Sequence, residues 1–283
     1  MVLLKECNMI YPLVSIIMGV FNCESTLVEA IESIERQTYE NWELIICDDG
    51  SSDMTYSIAK EYNAKDPLRF IVLQNDENKG LNYTLNKCID IARGKYIARM
   101  DGDDISKPDR LEKELQFLES NPEFSIVSCD MEMFDKAGVW GRTFSIARPE
   151  INDFCNHSPF FCHAAVLVRT DAYRAVGGYT VNPHLLRVED CHLWYKMYAA
   201  GYKGANIQEV LYSMRNDRNA TSRRTMGARV NGIYVTWVGF HLVKMPWYKY
   251  IYFLRTLFEE PIKAIIPAKV YEHLYKHKHG SLL

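Results

Sequence analysis

Short runs that are apolar from end to end recur through roughly the first hundred residues, and a helical pattern follows each of them. Leu13–Val20 is such a run, and Glu43–Cys47, Arg69–Leu73 and Tyr96–Met100 repeat it. A strand with no polar alternation has to be covered on both faces, which is the condition of a strand inside a parallel sheet. Between these runs, Glu24–Gln37 carries an apolar stripe at Leu27, Ala30, Ile31 and Ile34, and helical patterns also cover Ser52–Tyr62 and Leu81–Ala92. Ser51, Ser52 and Asp53 offer capping side chains for the second helix. The alternation predicts an α/β fold, with βαβ units around a mixed, mostly parallel sheet flanked by helices.

The pattern weakens further on. Pro108 suits the first turn of a helix continuing through Arg110–Glu119, and Phe124–Cys129 reads as a strand. Asp130–Ala147 has shorter β signals, Arg148–Pro159 reads as a loop, Ala164–Arg169 as a strand and Val188–Ala199 as a helix. Without repeats or low-complexity linkers, one catalytic domain is expected over residues 1–220, with 221–283 as a helical extension.

That extension differs in charge. Residues 225–283 hold eight Lys and Arg against three acids, within a chain whose net charge is −3. The overall balance gives no electrostatic case for nucleic acid. Ile233–Val243 is apolar but falls well short of the ~20 residues that span a bilayer. Met245–Pro261 interleaves Trp247, Tyr248, Tyr250, Tyr252 and Phe253 with Lys249 and Arg255. Helices of this kind lie in a membrane interface or pack on the domain or a second copy of the chain, and both readings stay open here. Eight cysteines scattered singly read as buried thiols of a reducing compartment, and the N-terminus lacks a signal-peptide pattern, so a cytoplasmic location, at the inner face of the membrane if the extension binds it, is expected. Asn219-Ala220-Thr221 matches a glycosylation acceptor that would be idle there.

Three groups of residues point to chemistry. Asp101, Asp103 and Asp104 follow the fourth strand, with Gly102 between the first two. Carboxylates this close repel one another, and a hard cation such as Mg²⁺ or Mn²⁺ is the usual partner that holds them and bridges to phosphates. The C-terminal end of a strand is also where open α/β sheets bind nucleotides. Asp48-Asp49-Gly50-Ser51-Ser52 follows the second strand, where a carboxylate can accept from a base N–H or ribose hydroxyl, although an ordinary turn would look the same. Glu189-Asp190 opens a helix, where acids are favoured by the helix dipole whatever their function.

Taken together these blocks resemble the inverting nucleotide-sugar glycosyltransferases of family 2, which have the GT-A fold. The matching residues are Val14–Asn22, Ser33–Tyr39, Glu43–Asp53, Asn78-Lys79-Gly80, Gly94–Asp104, Pro108–Leu111 and Gly177-Gly178-Tyr179 with Glu189-Asp190. The resemblance covers roughly the first 215 residues. It implies that Gly19, Phe21 and Asp49 line the uridine pocket, that Asp48 supports that loop, and that Asp103 is the direct metal ligand with Asp101 facing the ribose or the metal shell. Asp104 is an extra acid suited to a helix terminus or a supporting contact. Asp190 becomes the base that deprotonates the acceptor hydroxyl, with Glu189 holding the loop or an acceptor hydroxyl, and His163 falls where the family often has a histidine.

The chain also departs from the family pattern. Gly19 replaces a proline, which loosens that turn, and Met214-Arg215-Asn216-Asp217 lacks the usual histidine. Arg215, Arg223 and Arg224 are candidates to meet phosphate instead, although Arg223 and Arg224 read more simply as solvated surface. The Gln-X-X-Arg-Trp signature of processive synthases is absent. The resemblance therefore implies transfer of one sugar, from a UDP-linked donor to a glycan hydroxyl on a lipid carrier of surface-polysaccharide assembly. A sugar-nucleotide pyrophosphorylase is the alternative enzyme, but Met18–Glu24 offers it no Lys or Arg to hold a triphosphate. A non-catalytic nucleotide-binding subunit is the alternative outside enzymes.

Overall fold

The computed structural model describes residues 11–156, 160–215, 225–265 and 270. Asn219-Ala220-Thr221, Arg223, Arg224 and the lysines beyond 265 lie outside them. Four strands come from the alternating region: β1 (Val14–Val20), β2 (Trp42–Asp48), β3 (Phe70–Gln74) and β4 (Tyr96–Arg99). They pair in parallel in the order β3-β2-β1-β4, joined by helices α1 (Leu27–Glu35), α2 (Thr55–Lys65) and α3 (Leu81–Ile91).

Adjacent residues in these strands point to opposite faces, and both faces are covered. Ile16, Met18, Leu44 and Ile46 pack with Leu27 and Ile31 on one side. Ile17, Ile45, Cys47 and Ile97 pack with Leu85 and Ile89 on the other. This double coverage is why the strands read as unbroken apolar runs.

Beyond β4 the sheet becomes mixed. A two-residue strand β5 (Ile105–Ser106) precedes helix α4 (Arg110–Ser120), β6 (Ile126–Asp135), β7 (Gly138–Thr143) and β8 (Leu167–Arg169), and the sheet continues β4-β8-β6-β9-β5 with β7 paired to β6. Strand β9 (Gly204–Arg215) runs parallel to β6 with register shifts around Asp130. Sequence pattern missed β9, because Gln208 and Glu209 interrupt its apolar residues at the irregular stretch. It also ended β6 too early: Asp130–Asp135 continues the strand, and Asp130 there accepts from Ser145 N at 2.7 Å. The segment expected as a loop holds a 3₁₀ turn at Ile151–Asn156, and a short helix α5 (Thr170–Ala175) follows β8.

The capping expectation for α2 was wrong in its detail. Ser51 Oγ accepts from Asn22 N at 2.9 Å and Ser52 N donates to Asn22 Oδ1 at 3.0 Å, so both serines tie the loops after β1 and β2 together. Asp53 alone serves the helix, accepting from Thr55 N at 3.0 Å.

Helix α6 (Glu189–Ala199) packs on the sheet, and α7 (Met226–Leu242) and α8 (Tyr250–Ile265) follow it. The α6–α7 crossing is close, since a side chain at Gly239 would overlap the Tyr195 ring. Among the described residues no helix is long and apolar enough to cross a membrane. The seven described cysteines are free thiols.

One buried pair carries a testable consequence. Arg110 and Glu114, one turn apart on α4, are both fully buried, with Nε 3.9 Å from Oε2. Neither Glu114 oxygen has a hydrogen-bond partner among the described residues, and burial pushes its pKa from 4.5 up to about 8. The folded chain then keeps a proton that the unfolded chain releases, so stability falls as pH rises from about 4.5 to about 8. Glu114→Gln is expected to flatten this slope. Thermal melts at pH 5 and pH 8 should differ by roughly 5 °C less in the variant than in the unaltered chain; parallel slopes would refute the assignment.

Candidate active site

The loops that leave the C-terminal ends of β1, β2 and β4 lie side by side, because those strands are neighbours in the sheet. Asp49, at the end of β2, is 4% exposed. Its Oδ1 accepts from Asn75 Nδ2 and Lys79 N, both at 2.8 Å, and its Oδ2 from Gly80 N at 2.9 Å. A carboxylate offers about four lone-pair sites, so one remains for a ligand N–H. Gly50 has φ +74°, and a Cβ there would meet the Glu77 backbone at 2.8 Å. Only glycine fits this contact, which seats the Asn78-Lys79-Gly80 loop on Asp49. Asp48 turns inward and accepts from Ser51 N at 3.2 Å and Gln74 Nε2 at 3.3 Å, in keeping with a supporting part.

Gly19 does not loosen a turn. It lies within β1, paired with Cys47, and a Cβ on it would sit 3.1 Å from Leu81 Cδ1 at the start of α3. Phe21 is 46% exposed on the following loop, beside the left-handed Asn22.

The acid cluster converges as its spacing suggested. One ligand oxygen from each of Asp101, Asp103 and Asp104 lies within 4.8 Å of the other two. Gly102 lets the turn press on β1, where a Cβ would meet Val20 Cγ1 at 2.7 Å. Asp104 is buried, and its Oδ1 accepts from Arg215 N on β9 at 2.7 Å. It caps no helix. Burial first, then the charges of Asp101 and Asp103, push its pKa well above the ordinary carboxylate value. Three converging oxygens, one on an acid whose ionised form is this disfavoured, suit a hard divalent cation, whose charge would remove the repulsion.

Arg215 is committed to this loop. Its Nε donates to Asp103 O at 2.8 Å, its guanidinium pairs with Glu29, and it stacks 4.6 Å from the Phe134 ring centroid. Its place on β9 is thus to hold the acid loop in position.

The second acid pair opens α6 after Arg187, which has φ +70°. Glu189 and Asp190 remain partly exposed. Asp190 Oδ1 accepts from Cys191 N at 2.8 Å, and the Cys191 thiol interacts with the same carboxylate. Burial raises the Asp190 pKa, opposed by the Cys191 N–H and by the charge of Arg99. Glu189 is raised by burial and then by Asp190. His163 meets Tyr179 OH at 2.7 Å, and burial together with Arg99 drives its pKa well below the ordinary value, so the ring is neutral.

Sequence reasoning passed over Arg99. It is 4% exposed at the end of β4 and donates from Nη2 to Asp101 Oδ1 at 2.6 Å. Burial opposes its charge, but the carboxylates of Asp101 first, and of Glu189, keep it cationic. One buried guanidinium is therefore within electrostatic reach of the acid cluster, the Glu189-Asp190 pair and His163. An arginine inside an otherwise apolar strand was the available signal.

The family model described as glycosyl transferase family 2 matches residues 15–177. The chain belongs to glycosyl transferase family 2. Relatives named as glycosyltransferases extend the match to most of its length. EpsE of Bacillus subtilis, named as a glycosyltransferase, is 41% identical over 94% of both chains. WfaP of Escherichia coli is 34% identical over 70% of this chain and 75% of its own. Its name describes a UDP-Glc:α-D-GlcNAc-diphosphoundecaprenol β-1,3-glucosyltransferase. Among solved structures, residues 1–349 of S. aureus TarS superpose with TM-score 0.63 at 18% identity, covering 87% of this chain and 72% of that one. The Pyrobaculum calidifontis mannosyltransferase PcManGT, solved with GDP-Man and Mn²⁺, superposes with TM-score 0.61 at 18% identity, covering 92% and 78%. The chain is a glycosyltransferase with the GT-A fold.

Proposed function

We propose that this enzyme transfers a single sugar, with inversion, from a UDP-linked donor to a hydroxyl of a lipid-linked glycan in surface-polysaccharide synthesis. The observation that carries this reading is the pairing of two acidic groups of different character around Arg99. The Asp101–Asp104 cluster suits a cation and a diphosphate, while Asp190 suits a proton acceptor.

In this reading Gly19 and Phe21 flank the uracil, and Asp49 spends its remaining lone pair on the base N–H. Asp103, with Asp101, would hold Mn²⁺ or Mg²⁺, which would supply charge neutralisation for a leaving diphosphate. Asp190 accepts the proton of the acceptor hydroxyl as its oxygen attacks the anomeric carbon from the opposite face. Glu189 and neutral His163 orient the acceptor. The WfaP name supports the UDP-sugar and lipid diphosphate parts of the reading.

Residues 221–283 serve in this reading as a membrane-contacting extension. Ile251, Leu254, Phe258 and Ile262 on α8 are all exposed, at spacings that place them on one helical face. Such a face suits the acyl boundary of a bilayer. A single experiment tests the donor, acceptor and membrane parts of the reading. The full chain is incubated with vesicles carrying N-acetylglucosaminyl diphosphoundecaprenol, Mn²⁺ and a panel of nucleotide sugars, then floated. Sugar transfer from one UDP-sugar together with co-flotation is expected; no transfer from any donor, or no flotation, would refute the corresponding part.

A further inference from the structure

Behind the Glu189-Asp190 turn lies a cavity of about 280 Å³, bounded by α6, the 3₁₀ turn at Ile151–Asn156 and the α7–α8 pair. Phe154, Val188, Cys191, Tyr195, Gly232 and Val235 form most of its wall. Three of the polar side chains on that wall, those of Thr236, Thr256 and Glu260, are already engaged. Thr236 Oγ1 donates to Gly232 O at 2.8 Å and Thr256 Oγ1 to Tyr252 O at 3.0 Å, each within its own helix. Glu260 pairs with Arg229 at 3.3 Å. A sugar or phosphate placed there would lose hydrogen bonds to water and find few in return. Hydrocarbon loses none.

The position of the cavity is as informative as its chemistry. Val188 and Cys191 on its wall flank the two acids in sequence, and the Cys191 backbone N–H donates to Asp190 Oδ1 at 2.8 Å. At the other side, Thr256 and Glu260 of α8 face the cavity while Ile251, Leu254, Phe258 and Ile262 are exposed. Helix α8 thus separates the cavity from an apolar outer surface.

We infer that this cavity is an apolar acceptor subsite, which takes the hydrocarbon next to the phosphate of a lipid-linked acceptor while the sugar hydroxyl reaches Asp190. The inference rests on the lipid-linked acceptor proposed above, and it assigns the lipid a place between α6 and the α7–α8 pair. Hydrocarbon bound there gains the free energy of leaving water, so acceptor affinity rises with chain length until the cavity is full.

Gly232 supplies a selective test. It lies on the cavity wall, and a Cβ built on it meets nothing within 4 Å, so Gly232→Phe fills the space without a clash at its base. Losing a mid-helix glycine also favours the helix, so the melting temperature should hold or rise. Calorimetry on the full chain with UDP present compares decyl and methyl N-acetylglucosaminyl diphosphate, and decyl phosphate as a probe without sugar. The unaltered chain is expected to prefer decyl over methyl by about ten-fold or more. Gly232→Phe should abolish that preference and weaken decyl phosphate equally, with UDP affinity unchanged. Phe258→Ser, on the outer face of α8, should leave the preference intact.

Equal affinity of the unaltered chain for decyl and methyl probes would overturn the inference. So would a decyl preference that survives Gly232→Phe or vanishes with Phe258→Ser. If decyl binding depends on Gly232 but no sugar is transferred to the decyl compound, the subsite stands and the lipid-linked acceptor reading fails. If sugar is transferred equally to both compounds and decyl phosphate does not bind, the subsite alone fails.

Discussion

Asp190→Asn is expected to lower sugar transfer by about 10²–10⁴-fold while UDP and Mn²⁺ binding stay close to unaltered. Asparagine keeps the size of the side chain and an oxygen for the Cys191 N–H, so the start of α6 should persist. It cannot take the acceptor proton at neutral pH. The pH profile adds a second readout. Burial holds the Asp190 pKa above the ordinary carboxylate value, so kcat/KM should fall as pH drops through that raised value, earlier than for a solvated aspartate. Glu189 lies beside it and is raised in turn, so the acid limb reports the pair. Residual activity of the Asn variant should lose the Asp190 part of this limb, leaving only what Glu189 contributes. Substantial turnover, or an unchanged acid limb, would remove Asp190 from the role of base.

The second large effect is expected at the acid cluster. Asp103→Ala should weaken UDP-sugar binding by about 100-fold in the presence of Mn²⁺, since the cation loses its principal anchor beside the diphosphate. With EDTA, the variant and the unaltered chain should bind the donor equally weakly. That second comparison separates a ligand from a merely structural acid. Asp104→Asn is a useful contrast, since the Asp104 carboxylate accepts from Arg215 N and amide oxygen can do the same. Calorimetry that finds Asp103→Ala indistinguishable from the unaltered chain with Mn²⁺ would refute the ligand assignment.

The sheet shows where sequence pattern carries information and where it does not. β1, β2 and β4 were legible because each is covered on both faces, which leaves no polar alternation to confuse them. β9 was not legible. It pairs with β6 through register shifts, and its exposed Gln208 and Glu209 break both strand and helix periods. Its cost to the reading of the site was direct, because β9 carries Arg215. Without the strand, Arg215 looked like a free phosphate contact; with it, the side chain and its backbone N–H are ties to Asp103 and Asp104. Ser51 and Ser52 teach the same lesson on a smaller scale. Local rules made them helix caps, while the partner that claims them, Asn22, is about thirty residues away in sequence.

Sequence alone determined the α/β character of the chain, its family and the positions of its acids. Those properties are local: apolar runs are set by coverage, and the acids follow strand ends along the chain. Tertiary structure decided how the acids differ. Asp104 is buried under β9, Asp101 is paired with Arg99, and Asp190 is raised by the burial of the α6 turn. It also decided that α7 and α8 line an apolar cavity beside that turn. Desolvation and charge interaction depend on distance in space, and residues from β4, β9, α6 and α7 become neighbours only when the chain is folded.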